Sequence, residues 1–114
     1  TRISSSSRLS FQVHEKFVET NPYRYWFLVK KDSNFIGSVY VTYENFIGIF
    51  LVDKHIDKLE SVIRIIKNQC KPLQAIPSVR NMGFSINVSI ENKILADELQ
   101  KMGANLIQKT YAID

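Results

Sequence analysis

Apolar positions along this chain change rhythm near its midpoint. The first half carries closely spaced strand-type runs, and the second half carries helical periodicities. Residues 1–9 (TRISSSSRL) are polar, with four consecutive serines, and read as a loop or a disordered start. Ser10 is a candidate N-cap for a helix over 11–20, with Phe11, Phe17 and Val18 as its apolar face. Asn21-Pro22 should end that helix, because a residue before proline avoids the helical region. Three strand-like runs follow: 23–31 (YRYWFLVKK), 35–43 (FIGSVYVTY) and 46–52 (FIGIFLV). Asp32-Ser33-Asn34 and Glu44-Asn45 supply the turns between them. Turns this short predict an antiparallel meander. The second and third runs are apolar almost throughout, so both sheet faces are expected to be covered. Gly37 and Gly48, inside strands, mark a bulge or a close approach.

The strongest helical pattern covers 56–70, where Leu59, Ile63, Ile66 and Cys70 recur on one face and Lys71-Pro72 stops the helix. Residues 73–83 contain Pro77 and Gly83 and read as a loop or a short distorted strand. Residues 84–90 (FSINVSI) alternate like a strand. A second helix is expected over 91–102, with Leu95, Leu99 and Met102 on one face and Gly103 as its C-cap. Residues 106–113 (LIQKTYAI) should close the chain as a strand. The strands flanking the central helix should be parallel. The sum is one α/β domain over 10–114, a mixed sheet made of an antiparallel meander plus a parallel β-α-β unit.

Composition narrows the possibilities. The 114 residues are 45% hydrophobic and 23% charged, which is globular composition and room for one domain. One cysteine forbids an intrachain disulfide, and one cysteine with two histidines leaves too few soft ligands for a structural zinc. No apolar run reaches the ~18 residues of a membrane span. No signal-peptide pattern opens the chain, so a cytoplasmic location is expected. The first residue is Thr rather than Met, which fits a trimmed start or the edge of a larger protein. The net charge of +4 favours anionic partners, although the basic residues are scattered rather than blocked.

Few residues offer chemistry. Cys70 lies on an apolar helix face and reads as a small buried hydrophobe. His55 follows Asp53-Lys54 at a strand end and fits an anion contact, a base or, in preference, a plain surface position. His14 lies beside Glu15 on the first expected helix. There is no GxGxxG or Walker pattern. The stretch from Arg80 to Ser85 (RNMGFS) resembles a ligand loop but precedes a strand rather than a helix. The aromatics Tyr23, Tyr25, Trp26 and Phe27 suit a stacking surface for nucleic acid only on an exposed face, and their consecutive placement favours a core. The aromatic meander is also a candidate homodimer surface.

The C-terminal third resembles a known family. Asn87-Val-Ser-Ile-Glu-Asn92, followed by an amphipathic helix and Gly103, is similar to the motif B region of the GNAT N-acetyltransferases. Val88, Asn92 and the 11-residue step from Asn92 to Gly103 fit that motif. Residues 10–18 with His14 are similar to the substrate-side helix of the branch that acetylates amino-sugars and ribosomal proteins, and Phe35-Ile36-Gly37-Ser38 fits the family's third strand. The family's first strand and first helix have no counterpart after Thr1.

The resemblance implies an acetyl-CoA site between the third and fourth expected strands, with no metal. Those strands splay in the family. Pantetheine pairs with the backbone of the first, here around Phe50, Leu51, Val52 and Asp53. The following helix start meets the pyrophosphate, here near Lys54 and Lys58. Asn87 and Asn92 fall where the family contacts CoA. An amine attacks the thioester while a base or water takes its proton. Glu44 and His14 are the candidate bases, and Tyr43 and Asn45 the candidate substrate contacts.

Two positions depart from the family pattern. Residues 53–59 (DKHIDKL) lack the glycines of the pyrophosphate loop, and Leu99 replaces the family's frequent tyrosine acid. The expected function is acetyl-CoA-dependent N-acetylation of an amine on a small molecule or amino-sugar. The alternative is a catalytically inactive GNAT-like binding module of a larger protein. A membrane partner is not expected, and nucleic acid is disfavoured.

Overall fold

A computed structural model describes residues 2–4, 8–13 and 23–114. Its centre is a six-stranded sheet whose spatial order follows the chain: β1 (Arg2–Ser4), β2 (Leu9–Val13), β3 (Tyr23–Lys31), β4 (Asn34–Thr42), β5 (Phe46–Leu51) and β6 (Ser85–Ile86). The first four pairings are antiparallel, and β5 with β6 is parallel. A 3-10 turn (Asp53–Lys58) leads into α1 (Leu59–Gln69), which links the parallel pair. α2 (Lys93–Lys101) follows β6. The chain is thus a mixed α/β fold, as the pattern of elements predicts.

The meander forms where the apolar runs placed it. Asp32 and Ser33 both take positive φ, 51° and 73°, between the paired ends Lys31 and Asn34. That is the left-handed turn whose twist matches a hairpin. The register shifts between Val29 and Lys30, opposite Gly37 and Phe35, so Ile36 is an extra residue on β4. A Cβ on Gly37 would meet the Phe50 carbonyl, and one on Gly48 would meet the Tyr40 ring. Both glycines therefore mark close approaches, and Gly37 also sits next to the bulge.

Alternate residues of the strands feed one core. Leu9, Phe11, Phe27, Val29, Val39, Val41, Ile47 and Leu51 are buried. They cluster with Leu59, Val62, Ile65, Ile66 and Cys70 of the α1 region and with Leu95 of α2. The other parity carries Trp26, Tyr40 and Gly48 in register, with Tyr23 stacked on Tyr40 at 4.2 Å between ring centroids. Phe50, of this second parity, is 62% exposed. The expected cover over both faces is therefore incomplete at Phe50.

Four expectations need correction. Residues 11–13 are strand, not the start of a helix, and Ser10 is a buried strand residue rather than an N-cap. Phe11 and Val13 alternate into the sheet, pairing with Val29 and Phe27, and cross-strand burial outweighs the capping signal. The remainder of that expected helix, with His14, lies outside the described residues. Arg2–Ser4 and Leu9 are strand where a loop was expected. The strand expected over 84–90 shrinks to Ser85–Ile86. Residues 106–113 form no strand and make no sheet pairing.

Both helix ends obey local chemistry. The Asn92 side chain accepts the Leu95 N–H at 3.1 Å, which caps α2. At the other end Gly103 takes φ 88°. Its N–H donates to Gln100 C=O, and Ala104 N–H donates to Leu99 C=O, each at 3.0 Å. This pair of bonds is a Schellman cap, as the placement of Gly103 predicts. Residues 73–83 run as a loop with one bridge, Ile76 to Arg80.

Candidate functional site

β5 has two unlike edges. Along one it pairs with β4 over residues 47–51. Along the other it meets β6 only at Phe46–Ser85 and Ile47–Ile86. Backbone groups of a strand alternate in direction. Val52 N–H donates to Ile36 C=O (2.9 Å), so even-numbered residues here face β4. Asn45 C=O accepts from Ser85 N–H (3.0 Å), so odd-numbered residues face β6. The N–H and C=O groups of Ile49 and Leu51 therefore point to the side from which β6 has departed. The parallel ladder opens after the second residue pair, and among the described residues β5 has no sheet partner on that side beyond it.

The 3-10 turn stands at the far end of this opening. It starts after Val52, with no side-chain cap, and its first bond runs from His55 N–H to Val52 C=O (2.8 Å). Asp53 and Lys54 thus precede the helical ladder, and their N–H groups face outward from it. Leu59 N–H, at the start of α1, already donates to Ile56 C=O. Lys54 is exposed, while Lys58 is largely covered and reaches Asp57 at 3.8 Å. α2 lies against this turn, and Asn87 is exposed just past β6. Phe50, Leu51, Val52, Asp53, Lys54 and Lys58 therefore follow one another at one end of β5, Asn87 follows the parallel strand β6, and Asn92 starts α2, the helix that meets the turn. The polar function of Asn92 visible here is its helix cap.

At the opposite end of β5, Tyr43 and Glu44 are exposed on the turn from β4. Asn45 differs from them. It is 1% exposed with φ 69°, a left-handed conformation that asparagine tolerates. Its Oδ1 accepts from Leu73 N–H (2.8 Å), and its Nδ2 donates to Leu73 C=O (2.8 Å) and Asn81 C=O (2.9 Å). Arg80 adds bonds from Nε to Gln74 C=O (2.7 Å) and from a terminal nitrogen to Tyr43 C=O (2.9 Å). Asn45 and Arg80 together latch the 73–81 loop to the β4–β5 turn. That loop delivers the chain to β6. Arg80 thus spends its guanidinium on backbone carbonyls, where the sequence offered it as a ligand-loop residue.

The sequence-derived residues fall into two groups, one at each end of β5. Residues 46–49 lie between the groups, and the five steps from Asn45 to Phe50 at ~3.4 Å each put about 17 Å between them. Ile49 was missed by sequence reasoning, because backbone direction depends on pairing parity and carries no side-chain signal. The latch was missed for a related reason. Asn45 reads as a turn residue, and its partners lie 28 and 36 positions away. Elsewhere, burial pushes the Cys70 thiol up, opposed by the nearby positive charge of Arg24. That thiol is 1% exposed and suits packing rather than attack. Among the described residues no three His, Cys, Asp or Glu side chains group as metal ligands, and no helix is long and apolar enough to cross a membrane.

The chain matches no protein-family model, no curated protein and no solved structure.

Proposed function

We propose that this chain is a divergent GNAT-like N-acetyltransferase, using acetyl-CoA to modify an amine on a small molecule or amino-sugar. One observation carries the reading: β5 and β6 part after two residue pairs and turn the backbone of Ile49 and Leu51 toward the opening. An extended amide-bearing arm is the ligand chemistry that such an edge accepts, because amides complete a strand's hydrogen bonds. Pantetheine is such an arm. Acetyl-CoA would supply the activated acyl thioester.

The fit is good at the strand and poorer at the helix start. Ile49 and Leu51 would hold the arm by N–H and C=O. Lys54 and Lys58 would neutralise phosphate charge. The turn has no glycine, and Asp53 and Asp57 oppose an anion there. The amine would enter from the side of the exposed Tyr43 and Glu44, with Glu44 as the candidate base. Asn45 shapes that side by holding the loop, since all its polar atoms are engaged.

Calorimetric titration with acetyl-CoA and with CoA tests the proposal. Saturable 1:1 binding, weakened by Lys54→Glu with the melting temperature unchanged, is the expected result. Absence of binding at millimolar ligand overturns it. The glycine-free turn favours a second reading, a GNAT-like module without catalysis that binds a partner or another ligand. Binding of CoA with no acetylation across an amine panel would select it.

A further inference from the structure

The end of the chain is exposed in a way its composition does not explain. Leu106, Ile107, Tyr111 and Ile113 are 78%, 67%, 77% and 95% exposed. Large apolar side chains this close together normally seek cover. The segment has strand character, with Ile, Thr and Tyr prominent and no glycine or proline between 106 and 113. Ile107, Tyr111 and Ile113 share one parity, so an extended chain would present them on one face. The segment departs from the Schellman cap at Gly103, which sets its exit direction.

The same molecule holds an unused edge. Among the described residues β6 is the last strand of the sheet and pairs with β5 alone. Ile86 and Val88 already pack against the core, so the sheet's apolar surface continues to this border. A parallel two-residue edge strand is weak by itself, and an added strand completes its outward N–H and C=O groups. Each copy therefore carries one strand-like donor and one strand acceptor, and its own donor does not occupy its own acceptor.

We propose that residues 106–113 of one copy add as a strand to the open β6 edge of a second copy, reciprocally, giving a two-fold dimer. Reciprocal exchange is the closed arrangement for a chain with one donor and one acceptor. Each arm covers Ile107, Tyr111 and Ile113 against the border formed by Ile86 and Val88. The proposal is independent of acetyl-CoA binding and uses a different edge from the aromatic meander.

Sedimentation equilibrium of the full chain from low micromolar to hundreds of micromolar is the first measurement. A dimer is expected for the wild type and a monomer for Ile107→Asp/Tyr111→Asp. Those substitutions lie outside the core, so the thermal unfolding of the variant's domain should stay cooperative. Hydrogen exchange is the second measurement, and protection of amides 106–113 should rise with protein concentration. A chain monomeric throughout overturns the proposal, as does a dimer that survives the double substitution. Protection of those amides in the monomer overturns it too, because the segment would then pair within its own copy.

Discussion

The meander and the returning chain handle the same kinds of residue in opposite ways. From β2 to β5, each strand borders two neighbours, and every second apolar side chain reaches the core. After α1 the chain touches the sheet through two residues of β6, and its last apolar segment lies uncovered. Local β propensity is similar in 46–51 (FIGIFL) and 106–113 (LIQKTYAI). What differs is the edge available when each segment arrives. A strand without a neighbour has neither cross-strand hydrogen bonds nor a face to bury.

The sharpest way to break this comparison is a pair of truncations. Phe11→Ala, at a fully buried meander site, should cost about 3–5 kcal/mol in urea unfolding. Ile113→Ala, measured where the chain is monomeric, should shift stability by no more than ~0.5 kcal/mol. Equal costs would show that the terminal segment packs as the meander does. Between these limits lies Asn45→Ala. It strands the Leu73 N–H and puts alanine at φ 69°, so about 2–3 kcal/mol of stability should be lost. Faster hydrogen exchange across 73–81 would show that the latch, rather than the sheet, has opened.

Asn92→Ala gives a smaller effect, about 1 kcal/mol, from loss of the α2 cap. Asn92→Ser keeps a capping oxygen and should recover most of it. The pair also sharpens the titration with acetyl-CoA. If Ala and Ser weaken binding equally while differing in stability, Asn92 contacts the ligand. If binding follows stability, it acts through the helix cap.

Reading the chain alone located the strands of the meander to within about a residue, and the structure bears them out. Alternation, turn residues and short spacing all lie within a few positions of one another, and neighbouring strands pair. Gly103 was legible for the same reason, since a helix end is settled by four or five adjacent residues. Residues 11–13 were misread because a serine, an aromatic and a polar run fit a capped helix as well as a strand. Only the edge of β3, whose partners Val29, Leu28 and Phe27 lie 14 to 18 positions away in sequence, decides between them.

The candidate site shows the same division more strongly. Its residue types were visible at positions 43–45, 50–54, 58, 87 and 92. Their placement at the two ends of the third strand followed from the bounds of that run, but the commitment of the Asn45 amide to the 73–81 loop was not visible. The sequence by itself determined the α/β class, the meander, the helix faces and the Gly103 cap. These depend on periodicity and on contacts between near neighbours. The tertiary structure alone decided which edge of β5 stays open, which backbone groups face it and which apolar segment finds no cover. Those outcomes depend on the meeting of distant segments, and strand propensity carries no information about a partner's edge.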